Sequence, residues 1–381
     1  MKIINKKLIG SFFIALALTA KAMPASSSAI AEIDATPPAT ESRFLKKLTK
    51  FLKDPNNDPN NMYYNGTKAI YRAAKKGNLK ALKMLLAHPR TNVNIVAYHG
   101  EDKGLNALLL AVENDHTECV QELLKKENIS LDVRDNDGLT PVHYAVHNNN
   151  LATLSLLLER GANPNLKPLS GPCTGLMPLH MATKNNNHLC MQKLLEHGAK
   201  VNAKTRNKLT TLHLATDPEK DPRCAELLIM YGASLNTLDK NNQTPLHYAA
   251  KKGNIACTQQ ILMQAKKLKT LDATVNVQDA QGATPLHWAA NNNHNQLAQI
   301  LIKNTAHIDA QDNNKSTPLH LATRRNSIAC LRLLLKKGAL LDARDRHNHT
   351  AFYYARGLCR LLIAQEYHKN NAENYGPVTN E

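Results

Sequence analysis

Aromatic residues are scarce in this chain of 381 residues: Phe, Trp and Tyr together make up 4%, and there is one tryptophan. Proteins that bind single-stranded nucleic acid need a row of aromatic side chains on which successive bases stack. The scarcity of aromatics disfavours that class of binding, although a formal net charge of +17 would attract phosphates. The apolar run at residues 8–20 is too short to cross a lipid bilayer.

Sequence motifs of common enzyme classes are also missing. The chain has no glycine-rich phosphate loop, no nucleophile elbow, no Cys-x-x-Cys pair and no His-Glu-x-x-His segment. Most aspartates fall in Asn-rich stretches, where Asp suits turns and not acid–base chemistry. We therefore predict that the protein is not an enzyme and uses no cofactor or metal.

What the chain does contain is one short phrase, repeated along most of its length. The clearest copy is QGATPLHWAANNN at residues 281–293. Copies have a residue in the threonine position at 67, 106, 140, 177, 210, 244, 284, 317 and 350. Successive copies lie 33 to 40 residues apart, so a unit of 33 residues carries insertions. The longest insertions are at residues 97–103, 168–175 and 265–275.

The apolar spacing predicts two helices in each unit. Thr284 suits the N-cap of the first helix, and Pro285 occupies its first turn. Leu286, Ala289 and Ala290 then form a narrow apolar stripe. A second apolar helix follows, and glycine stops it at Gly161, Gly198, Gly232 and Gly338. A single unit cannot bury its own stripe, so neighbouring units must stack.

The phrase and its period resemble the ankyrin repeat, which has a Thr-Pro-Leu-His phrase and a period of about 33 residues. This resemblance implies an all-α fold, an ankyrin-repeat solenoid of about nine helix-turn-helix units with short β-hairpin loops. It also implies that the recurring histidine hydrogen-bonds the threonine of its own phrase and a carbonyl group of a neighbouring loop. The histidines at 143, 180, 213, 247, 287 and 320 lie a full repeat apart, too far to share a metal ion.

We divide the chain into five segments: signal peptide 1–22, flexible linker 23–41, basic amphipathic helix and loop 42–61, ankyrin repeat domain 62–367 and disordered tail 368–381. Lysines precede the apolar run at 8–20, and Ala20-Lys21-Ala22 predicts cleavage after Ala22. An uncleaved anchor is the alternative. Cleavage would remove four lysines and lower the net charge to +13.

The basic helix after the linker has two interpretations. It caps the first repeat, because the ends of a repeat stack need protection, or residues 43–53 contact an anionic membrane surface.

Six of the seven cysteines occupy one repeated position in the second helix: Cys119, Cys190, Cys224, Cys257, Cys330 and Cys359. On the family geometry such positions lie about 10 Å apart, beyond the ~7 Å Cα separation that a disulfide permits. We expect these six to be buried thiols. Cys173 lies on an insertion, and we expect it to be the exposed, reactive one.

In ankyrin proteins the usual contact positions are the hairpin tips and the two residues that follow the alanines of the first helix. The predicted partner-binding residues in this chain are Lys251, Lys252, Tyr248, Trp288, Arg324 and Arg325. Trp288 lies either on the surface or in the seam between repeats. Their charge favours an acidic protein surface as the partner over nucleic acid. We expect a monomer.

Three functions remain open from the sequence. The first is an exported, non-enzymatic interaction scaffold that acts as a host-directed effector, similar to ankyrin-repeat effectors of intracellular bacteria. The second is a periplasmic protein that binds or protects another bacterial protein. The third is a membrane-surface adaptor that uses residues 43–53. The sequence leaves the final compartment undecided among periplasm, medium and host cell.

Overall fold

The computed structural model describes residues 39–64, 67–97 and 104–375. The predicted signal peptide with its cleavage point at Ala22, most of the predicted linker and most of the insertion at 97–103 lie outside these ranges. No helix within the described ranges is long and apolar enough to span a membrane.

The chain forms two compact units, and helices make up most of both. The N-terminal unit contains the described residues up to Gly138 together with Pro168–Thr174. Its elements are α1 (Ala39–Leu52), a 3₁₀ turn (Pro59–Asn61), β1 (Tyr63–Tyr64), β2 (Thr67–Lys68), α2 (Ala69–Lys75), α3 (Leu79–Ala87), α4 (Ala107–Glu113) and α5 (Thr117–Leu124). Strands β1 and β2 are antiparallel, with Tyr64 opposite Thr67.

Helix α1 packs onto the first repeat of the N-terminal unit. Its apolar residues Phe44 and Leu48 are fully buried, and the Phe44 ring meets the Tyr64 ring edge-on with 5.1 Å between centroids. The Glu41 carboxylate forms an ion pair with Arg72 of α2. The basic side chains of α1 point to solvent. The first repeat therefore covers the centre of the apolar face of this helix.

The C-terminal unit contains Leu139–Lys167 and the described residues from Gly175 onward. Each repeat contributes two helices, of which the first is called the inner helix here and the second the outer helix. The pairs are α6 (Pro141–His147) with α7 (Leu151–Glu159), α8 (Pro178–Lys184) with α9 (His188–Glu196), α10 (Thr211–Ala215) with α11 (Pro222–Met230), α12 (Pro245–Lys252) with α13 (Ile255–Lys267), α15 (Pro285–Asn291) with α16 (Asn295–Lys303), α17 (Pro318–Arg324) with α18 (Ile328–Lys336), and α19 (Ala351–Tyr354) with α20 (Gly357–Tyr375). The insertion at 265–275 lengthens α13 and adds the short helix α14 (Leu271–Val275).

The repeated phrase starts each inner helix with the same hydrogen bonds, shown here for α12. Nδ1 of His247 accepts from the backbone N–H of Thr244 at 3.1 Å and lies 2.9 Å from the Thr244 hydroxyl. The other ring nitrogen, Nε2, lies 3.0 Å from the carbonyl oxygen of Ala283 in the next repeat. His213, His287 and His320 repeat this arrangement. The histidine therefore joins a helix cap to the neighbouring loop, as the resemblance implied.

The cysteines follow the predicted pattern with one correction. The six repeated cysteines are at most 1% exposed. Cys173, predicted to be exposed, is also buried, with 9% of its surface accessible. The insertion that carries it folds back on the preceding hairpin, where the N–H groups of Leu169 and Ser170 donate to the Asp137 carbonyl oxygen at 2.9 and 3.1 Å.

The last helix also differs from the prediction, which placed a disordered tail from residue 368. Helix α20 continues to Tyr375, because no glycine or proline interrupts it before Gly376 and Pro377. Residues 376–381 lie outside the described part of the chain.

A candidate protein-interaction surface

Four consecutive hairpins form a hydrogen-bonded ladder along one edge of the C-terminal unit. They span residues 239–243, 279–283, 312–316 and 345–349, and in each the N–H of the first residue donates to the carbonyl oxygen of the last at 2.9 to 3.0 Å. Adjacent hairpins are joined by a backbone bond, such as Ala280 N–H to the Asn241 carbonyl oxygen at 2.9 Å. The ladder fixes the position of each inner helix relative to the next.

In three of the four hairpins the aspartate that begins the hairpin is buried and bound inside the protein, whereas Asp312 is half-buried. Asp239, Asp279 and Asp345 are 2%, 6% and 5% exposed, and one oxygen of each accepts two backbone N–H bonds from its own hairpin. The other oxygen accepts from the side chain nine residues later, in the pairs Tyr248–Asp239, Trp288–Asp279 and Tyr354–Asp345, at 2.9, 3.0 and 2.6 Å. Both oxygens of each of these carboxylates are therefore occupied by internal hydrogen bonds and are not presented to a partner.

Burial and hydrogen bonding both change the pKa values of these groups. Burial alone would raise the pKa of Asp345, but the bonds from Tyr354 and from the N–H groups of His349 and His347 outweigh it and lower the pKa. Burial, helped by the bond to Asp239, raises the pKa of Tyr248 to about 12. At neutral pH Asp345 is therefore ionised and can accept its bonds, and Tyr248 is protonated and can donate its bond.

Two of the predicted cations lie over aromatic rings of the following repeat. Nζ of Lys251 is 4.7 Å from the centroid of the Trp288 ring. The guanidinium carbon of Arg324 is 4.5 Å from the centroid of the Tyr354 ring, and its NH2 nitrogen is 3.8 Å from an Asp345 oxygen. Cation–π contacts of this kind hold a charged group in place while leaving it open to solvent.

The other two predicted cations contact the preceding repeat. Nζ of Lys252 lies 2.7 Å from an Asp217 carboxylate oxygen, and Nε of Arg325 donates to the Asn291 side-chain oxygen at 3.2 Å. Both side chains remain exposed. All four predicted cations thus have a partner in the described structure that restricts their motion.

The six predicted residues lie on three consecutive inner helices. Tyr248, Lys251 and Lys252 belong to α12, Trp288 to α15, and Arg324 with its neighbour Arg325 to the end of α17. Trp288 is half-buried, with Lys251 over its ring and its N–H bound to Asp279.

The predicted site left out four members of this arrangement: Asp239, Asp279, Asp345 and Tyr354. The signal that could have found them is the constant spacing of nine residues between a hairpin aspartate and an aromatic residue. Within the ranges that the structure describes, no cluster of three or more His, Cys, Asp or Glu side chains could hold a metal ion.

Comparison with known proteins gives short matches, one of them to a protein named for its ankyrin repeats. Mouse Ankyrin repeat domain-containing protein 53 is 29% identical over 103 residues, which are 26% of this chain and 20% of that protein. Rat Short transient receptor potential channel 3 is 48% identical over 59 residues, 15% of this chain and 6% of that protein. Human BCL-6 corepressor-like protein 1 is 34% identical over 106 residues, 28% of this chain and 6% of that protein. The chain thus spans a fifth or less of each relative.

A solved structure and a family model cover more of the chain. The crystal structure of the ankyrin repeat domain of Bcl-3, described as a unique member of the IkappaB protein family, is similar with a TM-score of 0.52 and 26% identity. It covers 60% of this chain and 100% of that one. The family model for ankyrin repeats in three copies matches residues 92–168, 169–237, 212–312 and 306–374. With these matches and the repeated cap and histidine bonds, the protein belongs to the ankyrin-repeat family.

Proposed function

We propose that this protein is a non-enzymatic binding scaffold that holds an acidic protein on its C-terminal unit. The binding surface, here called the basic surface, consists of Tyr248, Lys251, Lys252, Trp288, Arg324 and Arg325. Ankyrin repeats mediate protein–protein interaction. One observation carries the choice of partner. Three of the four hairpin carboxylates, those of Asp239, Asp279 and Asp345, are buried and bound by internal hydrogen bonds, whereas the cations beside them are exposed and held in place.

Restricted cations suit an interface because less side-chain entropy is lost when the partner binds. Complementary charge across an interface also speeds association and discriminates between partners. Nucleic acid is less favoured. The exposed rings that a base would need are already covered on one face, Trp288 by Lys251 and Tyr354 by Arg324.

The observations support a binding role over an enzymatic one. Histidine is the usual acid–base group of enzymes, but both ring nitrogens of His213, His247 and His287 are within hydrogen-bonding distance of capping groups and neighbouring loops. Burial also lowers the pKa of each of these rings.

Export is the second part of the proposal, and the partner would then be a protein outside the producing cytoplasm, such as a host protein. Its support is the sequence of residues 1–22, with lysines before the apolar run and Ala20-Lys21-Ala22 after it. We expect the mature chain to begin at Met23, which N-terminal sequencing of the native protein checks. An intact Met1 on the purified protein would contradict export by cleavage.

A role on membrane surfaces has less support. Two residues at the centre of the apolar face of α1, Phe44 and Leu48, are fully buried in the first repeat. A docked α1 would therefore meet a bilayer mainly through its charged face, without the apolar insertion that strengthens interfacial binding.

The basic surface is tested with the charge reversals Lys251→Glu and Arg325→Glu together. Lys252 and Arg324 are left in place because each pairs with a carboxylate, and a glutamate there would disturb the fold. Immobilised full-length protein is used to capture partners at low salt, and the bound proteins are identified by mass spectrometry.

We expect K251E/R325E to retain about a tenth or less of the partner that wild-type protein captures. The matched control is K80E/K83E, which makes the same change in net charge at two exposed lysines on helix α3 of the N-terminal unit. The control should capture the partner as wild type does. If K251E/R325E captures the same proteins in the same amounts, the basic surface is not the binding surface.

A further inference from the structure

A groove of about 380 Å³ lies between the outer helices α13 and α16, away from the basic surface. It is called the outer groove here. Leu262, Met263 and Ile300 form its apolar part, and Lys266, Lys303 and Asn304 form its polar part. The side of the groove that α13 forms is longer than the side that α16 forms, because the insertion extends α13 to 13 residues whereas α16 has nine.

The apolar part of the outer groove is open to solvent. Leu262 forms a floor that is 3% exposed, whereas Met263 is 57% exposed on the rim. Leu268, just beyond α13, is 55% exposed. Contiguous exposed apolar side chains mark interaction sites, and methionine adapts its shape to a partner.

Equivalent positions on the neighbouring outer helices extend this surface in both directions. Met263 lies six residues after the buried cysteine of its helix, and the same position is Met230 on α11, which is 68% exposed. On α16 and α18 this position holds Lys303 and Lys336. The row therefore changes from apolar to basic along the stack. A compact small molecule could not use both ends, whereas an extended segment could.

The polar part of the outer groove has groups whose binding capacity the protein leaves unused. Lys266 and Lys303 are exposed, and neither forms an ion pair within the described residues. Nδ2 of Asn304 donates to the Ile300 carbonyl oxygen at 2.7 Å, but its Oδ1 is buried without a hydrogen-bond partner in the same part of the chain. A buried acceptor without a donor is rare in native proteins. A rotation of the Asn304 side chain towards the groove would let a bound peptide N–H supply the donor.

We propose that the outer groove binds an acidic amphipathic segment of a partner protein. Apolar side chains of the segment lie along Leu262 and Met263, carboxylates pair with Lys266 and Lys303, and an N–H donates to Asn304. This proposal goes beyond the basic surface, because the two surfaces belong to different helices. The same repeats could then hold two acidic partners, or two parts of one.

The test uses the full-length protein and a fluorescein-labelled peptide of roughly twelve residues, with leucine at helical spacing and glutamate elsewhere. Two control peptides separate the contributions. One replaces each leucine by serine and keeps the charge, and the other replaces each glutamate by lysine. Fluorescence anisotropy gives the dissociation constants. In protein with isotope-labelled methionine methyl groups, the Met263 methyl signal should shift when the acidic peptide is added.

We expect Met263→Glu and the pair K266E/K303E each to weaken binding of the acidic peptide by about tenfold or more. The matched controls K80E/K83E on α3 and K251E/R325E on the basic surface should change it by less than about twofold. The proposal fails if wild-type protein does not bind the acidic peptide, or binds the serine peptide as well. It also fails if K251E/R325E removes binding, which would assign the peptide to the basic surface.

Discussion

At the scale of single residues, the histidine of the repeated phrase connects local and long-range structure. His247 is 1% exposed, and its ring joins the cap of α12 to the loop that precedes α15. His247→Ala would leave the Thr244 N–H and the Ala283 carbonyl oxygen without these bonds. We expect a loss of about 1–3 kcal/mol in the free energy of unfolding, measured by urea denaturation.

The control for His247 is His307→Ala, because His307 is a surface residue with 65% of its side chain exposed. Its only close carboxylate among the described residues, on Asp272, lies 3.7 Å away and is itself exposed. Surface changes of this kind usually stay within about 0.5 kcal/mol. Equal losses for the two variants would show that the capping bonds add nothing to stability.

The same histidines make stability depend on pH. Burial lowers the pKa of His180 from 6.5 to about 4, although its bond to the Ala203 carbonyl oxygen opposes the change. The unfolded chain therefore binds a proton at this residue before the folded protein does. Stability should fall as the pH drops from 6.5 towards 4, by on the order of 2–3 kcal/mol for His180 alone.

The His180 effect is measured as the free energy of unfolding at several pH values between 7 and 4, in wild type and in His180→Gln. The variant lacks the titrating group, so its stability should fall less over this range. Parallel curves for the two proteins would mean that His180 does not contribute to the pH dependence.

At the scale of helices and loops, the sequence predicted the features that depend on hydrogen bonds between residues close in the chain, such as where helices begin and end. The threonine position marks the start of inner helices, and glycines such as Gly198 and Gly338 end outer helices with φ of 78°. Four of the predicted binding residues, Lys251, Lys252, Arg324 and Arg325, lie at the ends of α12 and α17. These features depend on contacts between residues close in sequence, or on a period that one alignment of the repeats reveals.

The insertions could not be predicted in the same way. The segment at 168–174 is held by hydrogen bonds from Leu169 and Ser170 to Asp137 and Asn136, and no repeated sequence pattern predicts these bonds. Cys173 was therefore expected on the surface and is buried. The outer groove could not be predicted either, because Lys266 of α13 and Lys303 and Asn304 at the end of α16 come together only when the two helices pack side by side.

At the scale of the whole molecule, the excess of positive charge is concentrated on particular surfaces. The chain has a formal net charge of +17, and export would leave +13. In the C-terminal unit three of the four hairpin aspartates of the ladder are buried and bound internally, while cations border both the basic surface and the outer groove. Such fields accelerate association with acidic partners and weaken as salt increases.

The most direct test of the basic surface is the rate at which the captured partner associates, measured at low and at physiological salt. We predict that association with wild-type protein is fast and falls steeply with salt. K251E/R325E should associate more slowly at low salt and depend less on salt, whereas the control K80E/K83E should behave as wild type. Equal rates and equal salt dependence for wild type and K251E/R325E would contradict the proposed function.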